Sequence, residues 1–379
     1  GYNNNRWRFY ELKELKKRNG DVRTIHAVNG SLWYLQKKTY NYLSSIYKPH
    51  AAAKGFVKEG GIVVHAKIHR NKKLVMSYDI KDFFPTITFA RVSGMFQFPP
   101  FNFPIEEAIV YAQICCLPDE NGSLPQGGIT SPYISNMLCR KLDDRLLKFA
   151  NKRKLNYSRY ADDLTFSTNE NINFKKITEY VAKTLKEEGF QINDSKTRLM
   201  KKSDRQVVTG VIVNEGINVN RKYIRSLRAL IHNCSINNIY KEATKKRNYN
   251  KYSWDRIYCL PYQIKEDGTY IKTNGRRINY KNKATGQRIP ESEQVQKLFI
   301  QHVEGRLDHV RHIANSNPHL EDRVRRLIIY QNLKLRWDEV KKNDLEIKGL
   351  YEKTKFYKPY TDHRNSVKMA TNHDVLDEI

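Results

Sequence analysis

The sequence predicts an α+β fold, on three features. Leu155-Asn156-Tyr157-Ser158-Arg159 and Leu164-Thr165-Phe166-Ser167 alternate in polarity on either side of Tyr160-Ala161-Asp162-Asp163, the pattern of two strands joined by a tight turn. Leu74-Val75-Met76-Ser77-Tyr78-Asp79-Ile80 reads as a buried strand ending in a carboxylate. Between these strands Ile134, Met137, Leu138, Leu142, Leu146 and Phe149 recur at helical spacing.

Lys81-Asp82-Phe83-Phe84-Pro85 breaks the first strand, and Pro85 closes it because proline lacks the N–H a ladder needs. In Leu124-Pro125-Gln126-Gly127-Gly128-Ile129-Thr130-Ser131-Pro132 the paired glycines allow close backbone approach to a ligand. Ser131 before Pro132 reads as an N-cap and first helical residue, and Cys139 falls within the helix that follows. Phe174, Ile177, Tyr180, Val181 and Leu185 line one face of a further helix, which Gly189 stops. Arg221, Lys222, Arg225 and Arg228 share a segment with Ile224, Leu227, Leu230, Ile231 and Cys234, an amphipathic helix with a basic face. From Lys241 to Arg288 the chain is basic and tyrosine-rich, with hairpin-turn signals at Asp267-Gly268 and Asn274-Gly275. Interleaved aromatic and basic residues suit stacking on unpaired bases and contact with the backbone, Lys245, Lys246 and Arg247 among them; a packed hairpin without ligand is the alternative. Val295, Leu298, Phe299, His302, Val303, Val310 and Ile313 mark another helix, and a last one runs from about Leu320 to Val340. The tail beyond Lys353 is polar.

Two carboxylates at a hairpin tip repel unless a cation stands between them. Mg²⁺ takes oxygen ligands and phosphates, so a phosphoryl-transfer enzyme would place them here; an exposed Asp-Asp turn is the plainer reading. A site for two cations about 3.5–4 Å apart needs carboxylates from more than one element, and Asp79 supplies a second element.

Lys and Arg number 68 against 40 Asp and Glu, a formal charge of +28, which one polynucleotide partner would satisfy and which makes binding steeply salt-dependent. No basic amphipathic helix stands apart from the fold, and nothing approaches the apolar run of a membrane span or a signal peptide, so no membrane partner is expected. The first residue is Gly1, not Met, as in a chain whose natural start has been trimmed. Cys115, Cys116, Cys139, Cys234 and Cys259 are five in number and lack metal spacing, which suits buried free thiols in a reducing cytoplasm. His302, His309 and His312 have no cysteine or carboxylate companions for zinc.

Taken in this order, the segments resemble the polymerase core of reverse transcriptases. Asp79 to Phe84 resembles motif A, Pro125 to Asn136 motif B and Tyr160 to Asp163 motif C. Gly189-Phe190-Gln191-Ile192-Asn193 with Ser195-Lys196-Thr197 resembles motif D. The resemblance runs from about Arg23 to about Gly216 and continues more loosely into a thumb. It implies a right-hand polymerase fold: fingers at 1–72, a palm of antiparallel sheet flanked by helices at 73–216, a mostly helical thumb at 217–352 with the insertion 241–289, and a tail at 353–379. It implies that Asp79 and Asp162 ligate two Mg²⁺ ions, for which Mn²⁺ could substitute, with Asp163 less directly engaged and the Ile80 carbonyl as a further ligand. Phe84 falls where the family has an aromatic gate against the ribose 2′-hydroxyl; the alternative is that Phe83 and Phe84 are core and rim. Gln126 and Gly127 are implied to pack against the incoming deoxynucleoside triphosphate, Arg23 to contact its phosphates and Lys196 to protonate the pyrophosphate. A turn amide, a surface arginine and a surface lysine are the respective alternatives. Arg221, Arg225 and Arg228 are implied to track a duplex.

Tyr42-Leu43, Ala51-Ala52-Ala53-Lys54-Gly55-Phe56, His65-Ala66-Lys67-Ile68-His69 and Val208-Thr209-Gly210-Val211 resemble the retron-type, defence-associated bacterial branch. His65 replaces its usual Asn, and the His65/His69 pair reads as structural or RNA-facing rather than as a metal site. The branch implies a cognate non-coding RNA template, a DNA product, a phage-defence role in the cytoplasm, and room for a homo-oligomer or an effector protein. A group II intron-like enzyme and a polymerase-like RNA-binding module without catalysis are the alternatives.

Overall fold

In the computed structural model, residues 6–16, 22–239, 241–243, 262–264, 270–272, 277–278 and 291–344 are described. The chain opens with an antiparallel hairpin, β1 (Tyr10–Lys16) and β2 (Val22–Val28), followed by α1 (Gly30–Ile46) and the short α2 (Ile62–Ile68). The apolar run becomes β3 (Leu74–Asp79), after which come α3 (Phe89–Gln97), α4 (Ile105–Cys115), α5 (Ser131–Leu138) and α6 (Arg140–Lys152). The alternating segments form β4 (Asn156–Tyr160) and β5 (Asp163–Thr168), and α7 (Phe174–Glu187), β6 (Arg198–Lys201), β7 (Val207–Val208) and β8 (Val211–Ile212) follow. Beyond lie α8 (Arg221–Asn237), the short β9 (Tyr262–Ile264), β10 (Tyr270–Lys272) and β11 (Arg277–Ile278), and the long α9 (Glu291–Asn315) and α10 (Leu320–Asn343).

The central sheet has the order β4-β5-β3-β6 and is antiparallel throughout. Period-2 geometry gives it two different faces. Met76, Tyr78, Ile80, Tyr157, Leu164 and Phe166 point into a core with Leu142, Leu146 and Phe149 of α6 and Ile177, Val181 and Leu185 of α7, where the Phe149 and Tyr180 rings stack at 3.8 Å. The opposite face carries Ser77, Asp79, Ser158, Asp163, Thr165 and Ser167. Such a face cannot be covered by aliphatic side chains without stranding its hydroxyls. Buried His69, at the C-terminal end of α2, solves this: its two ring nitrogens lie 2.7 Å from Ser158 Oγ and 2.8 Å from Ser167 Oγ. Burial holds His69 well below its ordinary pKa, so the imidazole stays neutral and offers one donor and one acceptor. Val75, near the start of the same face, joins a second core built from α2, α8, α9 and α10, including Leu227, Ile231, Phe299, Val303 and Trp337.

Three expectations need adjustment. Ser131 is the first helical residue of α5, Thr130 is the N-cap without a side-chain cap bond, and Pro132 takes the second position, where its missing N–H costs nothing. The helix expected to run on from there is two helices that meet at Cys139, which ends α5 and begins α6 with ψ near 0°. Cys139 thus stands at a joint rather than within a helix. The turns at Asp267-Gly268 and Asn274-Gly275 lie outside the described residues, but the strands around them pair antiparallel, Tyr270 opposite both Ile264 and Ile278. Cys115, Cys116, Cys139 and Cys234 are buried free thiols, and Cys259 lies outside the described residues. Among the described residues no helix is long and apolar enough to cross a membrane.

His69→Ala is expected to strand two serine hydroxyls and open a cavity, lowering unfolding free energy by about 3 kcal/mol, read by guanidinium denaturation. A loss under about 1 kcal/mol would mean that the serines find other partners.

Candidate active site

The sheet register places the carboxylates. Asp79, last in β3, stands directly opposite Asp163, first in β5, and Asp162 occupies the turn between β4 and β5. The turn is held by backbone: Ile80 N–H donates to the Asp162 carbonyl at 2.9 Å. Ala161 is in the left-handed region at φ 57°, which costs a non-glycine residue about 1–2 kcal/mol. Gly55 lies against it, and a Cβ on Gly55 would come within 2.7 Å of the Ala161 nitrogen, so only glycine fits.

Asp79 is nearly buried and fully engaged. Lys196 Nζ donates to both its oxygens at 2.9 and 2.8 Å, and Asn193 Nδ2 donates to Oδ1 at 3.0 Å. The Asn193 N–H also reaches the Asp79 carbonyl at 2.8 Å, so the loop after α7 is latched to the end of β3. Asp163 is pushed up to about 7 by burial, then by the charges of Asp162 and Asp79, against which Lys196 acts. Asp162 is raised chiefly by burial, with Asp79 adding to it and Lys196 and Arg23 opposing.

These values test whether the site suits a divalent cation. Asp162 and Asp163 bind protons more tightly than free carboxylates because burial and neighbouring negative charge are not matched by enough positive charge, and with Asp79 they offer only oxygen donors, the set a hard cation prefers. Among the described residues no group of three or more His, Cys, Asp or Glu is arranged so as to hold a metal ion as it stands. The Lys196 ammonium holds Asp79 instead, as a counter-ion to the cluster.

The residues singled out for the nucleotide gather around this cluster in part. Phe84 is half-buried at the rim, its ring 5.3 Å from buried Phe83 and 6.4 Å from Phe56, which in turn lies 6.4 Å from Tyr160. Phe83 packs on Phe190 in the core. The Gln126 carbonyl accepts from His26 N–H at 2.7 Å, and a Cβ on Gly127 would meet the His26 carbonyl at 2.9 Å, so the glycine loop is pressed onto β2, the strand of Arg23. Arg221, Arg225 and Arg228 are exposed along α8, apart from the carboxylates, and Lys245, Lys246 and Arg247 lie outside the described residues. His65 is buried and stacks on Tyr160 at 5.8 Å, a packing position rather than a ligand position.

Sequence reasoning missed a buried polar network beneath the turn. Arg159, with no exposed surface, donates through Nε and Nη2 to the two oxygens of buried Asp143 at 2.9 and 2.6 Å. Its Nη1 donates to Asn136 Oδ1 and to the Ala161 carbonyl, both at 3.1 Å. The alternation was a usable signal, because Arg159 shares the inward parity of Tyr157, where a charge demands a buried partner. Asn193 gave no such signal.

Residues 15–213 match the family described as reverse transcriptase (RNA-dependent DNA polymerase). Over 245 residues the chain is 34% identical to the retron Mx65 reverse transcriptase of Myxococcus xanthus, covering 60% of this chain and 56% of that one. Over 230 residues it is 32% identical to the retron Ec86 reverse transcriptase of Escherichia coli, covering 60% and 69%. The chain thus spans about half the length of the Myxococcus relative. Among solved structures, telomerase from Candida albicans in complex with a telomeric RNA fragment is a distant likeness, with TM-score 0.41 at 10% identity over 91% of this chain and 62% of that one. A chain matched over more than half its length by that family model belongs to the reverse transcriptase family. Its relatives place it on the retron-type bacterial branch, and its fold is the right-hand polymerase fold.

The raised Asp163 pKa fixes a pH dependence. The folded chain keeps this proton up to about pH 7, whereas the unfolded chain releases it near 3.8, so the metal-free protein loses stability as pH rises between the two. A divalent cation favours the ionised form. It is therefore expected to raise Tm more at about pH 8 than at about pH 5, and to release protons when added at about pH 6. Equal shifts in Tm, with no proton release, would remove Asp163 from the cation's surroundings.

Proposed function

We propose that the chain is an RNA-directed DNA polymerase that adds deoxynucleotides on a bound non-coding RNA by two-Mg²⁺ phosphoryl transfer, in cytoplasmic anti-phage defence. The observation that carries this reading is the opposition of Asp79 and Asp163 across β3 and β5, with Asp162 in the adjoining turn. Asp79 and Asp162 would hold both ions, with Asp163 and the Ile80 carbonyl assisting; the ions supply activation of the primer hydroxyl and stabilisation of the leaving pyrophosphate, and Mn²⁺ could replace them.

The chain's own residues do the remaining work. Arg23 pairs with the triphosphate through its planar fork, while Gln126 and Gly127 bring backbone and amide against the nucleotide. Phe84 fills the space that a ribose 2′-hydroxyl would need. Lys196 Nζ, which rests on Asp79, would leave it for the pyrophosphate and give that group a proton; its side chain is 56% exposed. Residues 1–72 act as fingers, 73–216 as palm and 217–352 as thumb, with Arg221, Arg225 and Arg228, and Lys245, Lys246 and Arg247 of the 241–289 insertion, on the nucleic acid. The retron-type relatives support the assignment of an RNA template and a DNA product, and a homo-oligomer or an effector protein would be a further partner.

Asp162→Ala with Asp163→Ala is expected to cut primer extension by about 10³-fold or more while RNA affinity stays within about twofold. Full synthesis by this variant would refute the two-cation assignment, and RNA binding with no synthesis by the native chain would favour a binding module. Phe84→Ala is expected to raise ribonucleotide incorporation relative to deoxynucleotide by about tenfold or more, measured by competing the two triphosphates. Unchanged selectivity would place the gate elsewhere.

A further inference from the structure

The Arg159 network touches the carboxylate turn from below, and its wiring is asymmetric. One side of the guanidinium is spent on Asp143, whose Oδ1 also accepts from Tyr157 OH at 2.8 Å. The other side, Nη1, is shared between Asn136 of α5 and the carbonyl of Ala161. Asn136 in turn donates through Nδ2 to the Gly55 carbonyl at 3.0 Å, and Gly55 is the residue with no room for a side chain beside Ala161. The backbone of Arg159 is pinned as well: its N–H donates to the Ala52 carbonyl at 2.9 Å and its carbonyl accepts from Lys54 N–H at 2.7 Å.

The charge in this network is internally balanced, one guanidinium against one carboxylate, both fully buried. It therefore adds little net field at the cation cluster, and what it contributes there is geometry. The Ala161 carbonyl is held by Arg159, and the next carbonyl, of Asp162, is held by Ile80 N–H from the neighbouring strand. Two successive peptide planes fixed from separate elements fix the direction in which the Asp162 Cα–Cβ bond leaves the turn. Asn136 also sits on the helix that begins just after the Gln126-Gly127 loop, so the seat of the nucleotide and the carboxylate turn share one support.

We propose that Arg159 and Asn136 are positioning residues: through their contacts with Ala161 and Gly55, α5 sets where Asp162 stands relative to Asp79. This rests on the reading of Asp162 as a cation ligand. Hydrogen-bonded partners behind a metal ligand typically alter metal affinity about 10–100-fold when removed. Tyr157 serves as the internal control, since it binds the same Asp143 without touching the turn.

The test is Mn²⁺ binding to the full chain by electron paramagnetic resonance, with Tm and primer extension measured alongside. Asn136→Ala and Arg159→Lys are each expected to weaken Mn²⁺ binding by about tenfold, the lysine because it cannot reach Asn136 and Ala161 together. Tyr157→Phe is expected to lower Tm while leaving Mn²⁺ affinity within about twofold. The proposal is overturned if Asn136→Ala and Arg159→Lys keep native affinity, if Tyr157→Phe weakens it as much as they do, or if neither turn-side variant folds, which would assign the network to stability alone. The Asp162→Ala, Asp163→Ala variant separates this failure from that of the underlying reading: if it too keeps native Mn²⁺ affinity, the cation site itself lies elsewhere.

Discussion

Two carboxylates face each other across adjacent strands, and most of the local structure can be understood as the means of keeping them there. Like charges directly opposite in an antiparallel pair are destabilising, so the β3–β5 register would relax if side-chain preference alone decided it. It does not relax because a one-residue slip would carry Met76, Tyr78, Leu164 and Phe166 out of the core. The apolar face thus enforces the electrostatic strain of the polar face. Lys196 offsets part of that strain from a solvent-facing position, and burial of the carboxylates leaves the remainder in place.

Directed hydrogen bonds act on both faces of the sheet, through His69 on the polar face and through Arg159 on the side of Tyr157. His69 ties β4 to β5 through two serines, and Arg159 ties β4 to α5, α6 and the turn. Both residues are wholly buried, and each is satisfied by partners from separate elements. A buried polar network of this kind tolerates little rearrangement, because each broken contact strands a desolvated group. It gives the carboxylate turn a single geometry where an apolar core would have allowed several.

Much of this was readable from the chain. The hairpin, the Asp79 strand, the helix stopped at Gly189 and the long C-terminal helices follow from periodicity and breakers, signals carried by neighbouring residues. The break at Cys139 was not readable, because Leu142 and Leu146 continue the spacing of Ile134 and Met137 across it. Arg159 and Asp143 were missed for another reason. A sequence shows a charge but not its partner, and theirs is a contact across the fold between helix and strand. Lys196 was singled out for the pyrophosphate, whereas its contact with Asp79 depends on how the loop after α7 folds back, which Asn193 determines and no local pattern displays.

The close contact at Gly55 has a mechanical consequence. With no side chain between that loop and Ala161, and with backbone bonds from Ala52 and Lys54 to Arg159, the turn and the segment behind it form one stiff wall with nowhere to retreat. The opposite boundary is a lysine tether, its side chain more than half exposed and its Nζ on Asp79. Any movement that separates the carboxylates must therefore begin on the tethered side, at the loop that carries Asn193 and Lys196.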